Sequence, residues 1–110
     1  MTGESIDPIF SLIERHRTAF NTFVNIIPIA DEVAAEREGR EVTEKIAVAF
    51  DAAGDAEIVA CNALVGTPPT TLAGMRAAIQ WFVEYDKGCV PEVSGRFVET
   101  LTRSPVFDRV

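Results

Sequence analysis

Two cysteines and a single histidine are all the thiol and imidazole chemistry that 110 residues provide. Cys61 and Cys89 lack Cys-x-x-Cys spacing, and His16 has no second histidine to share a bundle metal site. A zinc site of the usual His/Cys composition would have to draw His16, Cys61 and Cys89 from three separate elements, and the sequence gives it little support. There is no glycine-rich phosphate loop and no Gly-x-Ser-x-Gly elbow, so no cofactor is expected. Basic residues are scarce as well. Ten Lys and Arg face seventeen Asp and Glu, a net charge of −7, which is the wrong sign for nucleic acid or an anionic membrane. No apolar run reaches the roughly 18 residues that would suggest a transmembrane helix. Residues Met1–Asp7 carry neither the basic nor the apolar region of a secretory signal, so the expected compartment is the cytoplasm, with both thiols reduced.

What the chain does have is apolar material, 47% hydrophobic residues against 25% charged, enough for one domain of 110 residues and too much for a disordered chain. Its pattern is helical throughout. Asp7 caps and Pro8 starts a first helix, whose stripe Ile9, Ile13, His16, Phe20, Phe23, Ile27 follows 4-3 spacing. Pro28 should kink or end it, with helix resuming to about residue 38. After Gly39, a second helix over 42–65 shows the seam Val42, Ile46, Ala49, Ala53, Ala56, Ala60, Ala63, whose small side chains invite the first helix as an antiparallel neighbour. Gly66 and Pro68-Pro69 stop it. Thr70 or Thr71 caps a third helix over about 71–87, with Gly88 placed to end it, and Pro91 opens a fourth over about 92–103. No period-2 run is present. The fold class is all-α, an antiparallel hairpin with two shorter packed helices, forming a single domain whose residues 1–6 and 106–110 fray.

The run Gly66-Thr67-Pro68-Pro69-Thr70-Thr71-Leu72-Ala73-Gly74 resembles the Pro-Thr-Thr-x-Ala-Gly turn of a group of short helical proteins frequent in alphaproteobacterial genomes. Asp7-Pro8-Ile9-Phe10, His16-Arg17 and the Ala/Asp-rich stretch Ala49–Ala56 stand where that group places similar motifs, and the resemblance covers roughly Asp7 to Asp86. It implies a helical hairpin in a bacterial cytoplasm and brings no catalytic residue with it. Gly54 departs from the group, which more often has Glu or Asp there.

Three functions can be weighed on residues. Trp81, Phe82 and Tyr85 are of types enriched at interface anchors, which favours a non-enzymatic module acting by protein–protein contact, with self-association as one form. Asp51 and Asp55 share a face of the second helix at i,i+4, with Glu44 and Glu57 nearby in sequence, and Glu44, Asp51 and Asp55 suggest a metal-dependent enzyme acting on a nucleotide or phosphate. All-α nucleotide pyrophosphohydrolases use such carboxylates as Glu-x-x-Glu followed by Glu-x-x-Asp. Glu41 and Glu44 match the first half, and the second half is missing. The third is a small-ligand pocket lined by Phe20, Phe23 and Met75. His16, alone on an apolar stripe, is a residue to locate: a core histidine with one partner, or a base.

Overall fold

The structure, a computed structural model, describes residues 7–85 and 91–109. Gly88 and Cys89, named above, lie outside the described residues. Five α-helices follow in order, α1 (Ile9–Ala30), α2 (Glu32–Arg37), α3 (Glu44–Val65), α4 (Leu72–Tyr85) and α5 (Pro91–Thr102), then a 3-10 turn over Pro105–Arg109. No strand occurs among the described residues. The chain is all-α, with α1 and α3 packed as a hairpin.

The long first helix expected to about residue 38 is two helices. Pro28 sits inside α1, which continues only to Ala30. Asp31 is extended (φ −73°, ψ 112°), and its Oδ1 accepts from the Val33 and Ala34 amides at 2.9 and 3.2 Å, starting α2. Arg40 completes the break. Its guanidinium donates to the carbonyls of Ile29 (2.8 Å) and Pro28 (3.1 Å) at the end of α1 and pairs with Glu38 at 2.7 Å. An ordinary helix end leaves those carbonyls to water. α2 closes with Gly39 at φ +72°, the left-handed geometry glycine adopts without strain, and with the Arg40 amide donating to the Ala35 carbonyl at 2.9 Å.

Contacts divide the chain into two compact units, Arg15–Cys61 and Met1–Glu14 with Asn62–Val110. In the Arg15–Cys61 unit, Phe23 of α1 meets Phe50 of α3 with ring centroids 5.5 Å apart. Gly54 leaves room for Phe23, since a Cβ there would sit 3.3 Å from its Cε1. An acidic side chain at this position would displace the ring. Contacts with α1 fall at Phe50, Gly54 and Glu57 of α3, beside buried Ala53 and Ala60 of the alanine seam, whereas Ala49 and Ala56 of that seam are exposed.

The second unit centres on Trp81, fully buried between Tyr85 and Phe97, with Phe82 stacked on Phe97 at 4.8 Å. Ile9, Leu64, Val65, Met75 and Ala78 complete this core. The C-terminal residues expected to fray fold onto it instead. Buried Ser104 donates to the Pro69 carbonyl at 2.6 Å and accepts from the Val106 amide at 3.2 Å, and Val106 is buried.

Candidate functional site

Asp7 does more than cap α1. Its Oδ1 accepts from the Ile9 amide at 3.1 Å. Oδ2 takes the Thr70 and Thr71 amides at 2.9 Å each and the Thr71 hydroxyl at 2.8 Å. Thr71 is the cap of α4, its Oγ1 accepting from the Gly74 amide at 2.9 Å. Burial pushes the Asp7 carboxyl up, but the Thr71 hydroxyl and the three backbone N–H groups outweigh it and hold the group below its ordinary value. This junction is structural; every polar atom of the carboxylate is taken up in holding helix ends. The Pro-Thr-Thr-x-Ala-Gly pattern has its physical reason here, because a Cβ on Gly74 would collide with the Asp7 carboxylate.

In the hairpin the structure assembles a group that the sequence did not. His16 of α1 is buried, and its Nε2–H donates to Oε2 of Glu57 on α3 at 2.9 Å. A carboxylate only accepts, which places the imidazole proton on that nitrogen. Phe20 lies beside the imidazole at 5.9 Å between centroids. Cys61, one helical turn after Glu57, brings its thiol to the same place, so that one ligand atom from each of His16, Glu57 and Cys61 falls within 4.8 Å of the other two. His16 is enclosed, whereas Glu57 and Cys61 are half-buried.

The other candidates are dispersed. Trp81 has no exposed surface and is a core residue, while Phe82 and Tyr85 are half-buried against the same cluster. The three named as interface anchors instead build the interior of their unit, because α5 supplies Phe97 for them to pack on. Glu44, Asp51 and Asp55 are all exposed, and they do not converge; the only described group of three or more such side chains within ligand distance is His16, Glu57 and Cys61. Helical spacing put the three carboxylates on one side of α3 but separated them along its axis. Phe20 and Phe23 belong to one unit and Met75 to the other. Met75 instead lines a shallow groove with Phe10, Leu72, Arg76 and Ile79. The signal missed in the sequence was Glu57-x-x-x-Cys61, an i,i+4 pair on the face that meets His16.

Comparison with protein-family models, curated proteins and solved structures finds no match to this chain. No described helix is long and apolar enough to cross a membrane.

Proposed function

We propose that this chain is a small bacterial cytoplasmic module that works by protein–protein contact rather than catalysis, that it pairs with a second copy of itself, and that the outer face of α3 is the contact. One observation carries the reading: beside its exposed carboxylates Asp51 and Asp55, α3 exposes large apolar side chains on the side away from α1. Phe50, Ala53 and Ala60 lie toward α1, and by helical periodicity Val48, Ala52 and Val59 project from the far side, where Val48 and Val59 are 62% and 54% exposed. α1 also exposes Val24, Ile27 and Ile29, each less open than Val48 and Val59, and shares its exposed side with polar Glu14, Thr18, Asn21 and Asn25.

Magnitudes support a dimer of modest affinity. Each exposed valine or isoleucine half gains roughly 1 kcal/mol on burial. Val48, Ile58 and Val59 from two protomers would together supply about 6 kcal/mol, near the lower end of the cost of association. Exposed Ala49, Ala52 and Ala56 let the two backbones approach closely and add dispersion contacts. Two chains of charge −7 repel, so self-association should strengthen as salt rises. The experiment is light scattering on a sizing column over a tenfold concentration range. A mass near twice 12.0 kDa at high concentration, returned to the monomer by Val48→Glu with helical content unchanged, supports the reading. A monomer throughout overturns it, and so does a dimer indifferent to that substitution.

A further inference from the structure

We propose that His16, Glu57 and Cys61 form a three-ligand site for a zinc-class divalent cation, with water as the fourth ligand. Glu57 and Cys61 lie one turn apart on α3, so both side chains reach the same side, and His16 meets them from α1. The three donors are thus fixed on two packed helices rather than on loops. A tetrahedral zinc with Zn–N near 2.0, Zn–O near 2.1 and Zn–S near 2.3 Å keeps its ligand atoms roughly 3.3–3.6 Å apart. The present spacings are close to that range, 2.9 Å between His16 and Glu57 and no more than 4.8 Å across the group. Turning the half-buried Glu57 and Cys61 side chains brings the set into range, with the buried imidazole as the fixed point.

The chemistry of the donors selects the ion. One imidazole nitrogen, one thiolate and one carboxylate suit zinc or cobalt and leave magnesium and calcium, which prefer all-oxygen sites, without a cage. On binding, the Cys61 thiol releases one proton to solvent. The Nε2 proton that His16 donates to Glu57 without metal moves to Nδ1, freeing Nε2 for the ion, and Glu57 exchanges that hydrogen bond for the ion. The partial exposure of Glu57 and Cys61 gives the ion and its water a route in.

The test uses the full chain without a histidine tag, stripped with chelator and then titrated with zinc by calorimetry and with cobalt by absorption. One zinc per chain is expected, with a cobalt spectrum showing tetrahedral bands and a thiolate-to-cobalt charge-transfer band. Cys61→Ser should abolish the charge-transfer band, and Glu57→Gln should weaken zinc at least about tenfold, both with native helical content. Cys89→Ser should change neither. Zinc that fails to bind overturns the proposal, as does a charge-transfer band that survives Cys61→Ser or disappears in Cys89→Ser. Magnesium that displaces cobalt would overturn it too.

Discussion

At Asp7 one carboxylate holds two helix starts, and its neighbour Gly74 has no side chain because the carboxylate occupies that space. Two outcomes are expected at this scale. Gly74→Ala should destabilise the protein by about 1–3 kcal/mol, since the added methyl must push either the carboxylate or Ile9 Cγ2, 2.9 Å away. Asp7→Ala should cost on the order of 3 kcal/mol, because backbone N–H groups at two helix ends lose a charged acceptor. The pH dependence has a definite sign. The Asp7 carboxyl is held below its ordinary value near 3.8, so its stabilisation is complete above that value and disappears as pH falls through the lower folded-state pKa. Urea midpoints of wild type and Asp7→Ala should differ at pH 6 and converge as pH drops below about 4. A gap that persists in acid would mean the side chain acts by packing rather than by charge.

Between residue and molecule stand the helices, and here the limits of reading them from sequence are physical. Periodicity located α3, α4, α5 and the start of α1 to within a few residues, since 3.6-residue spacing and the Gly66-Thr67-Pro68-Pro69 stop are local signals. The α1–α2 break was local only in part, in Pro28 and the Asp31 cap. It also involves Arg40 reaching back to carbonyls eleven and twelve positions earlier, which no window of apolar spacing records. Arg40→Ala should therefore loosen the α1 end and lower stability by about 1 kcal/mol, with Asp31→Ala comparable. Hydrogen exchange of Ile27 and Ile29 should rise in Arg40→Ala while that of Ile58 stays as it was. The α3 contact line was incomplete for a different reason: 46-49-53-56-60 and 50-54-57-61 are adjacent helical stripes, and only the bulk of Phe23 and His16 brings the second one into contact with α1. The His16, Glu57 and Cys61 group depended on that same contact. Trp81 shows the converse, since residue type suggested a surface anchor and packing made it core. Trp81→Ala should cost about 3–5 kcal/mol in thermal or urea unfolding, as expected of a large side chain removed from an interior.

For the whole molecule, the two units differ in what they bury. The unit holding α4 and α5 encloses Trp81, Leu64, Val65 and Phe97, whereas the described buried hydrophobics of Arg15–Cys61 are Ala35, Ala53 and Ala60. That contrast leads to an expectation for the dimer reading. Dilution should soften the hairpin first, seen as faster exchange at Ala53 and Ala60 before any loss of tryptophan signal. Equal softening everywhere would count against an α3 contact. The Asp7 junction also sets an order of events during synthesis. Its acceptor is made 63 and 64 positions before its donors at Thr70 and Thr71, a closure costing about 4 kcal/mol of chain entropy. The hairpin segment is complete before Thr71 leaves the ribosome, while Asp7 waits for its partners. A nascent chain stalled before Thr70 emerges would thus hold Asp7 without its threonines, and the stretch around Asp7 would be the one open to protease and chaperone.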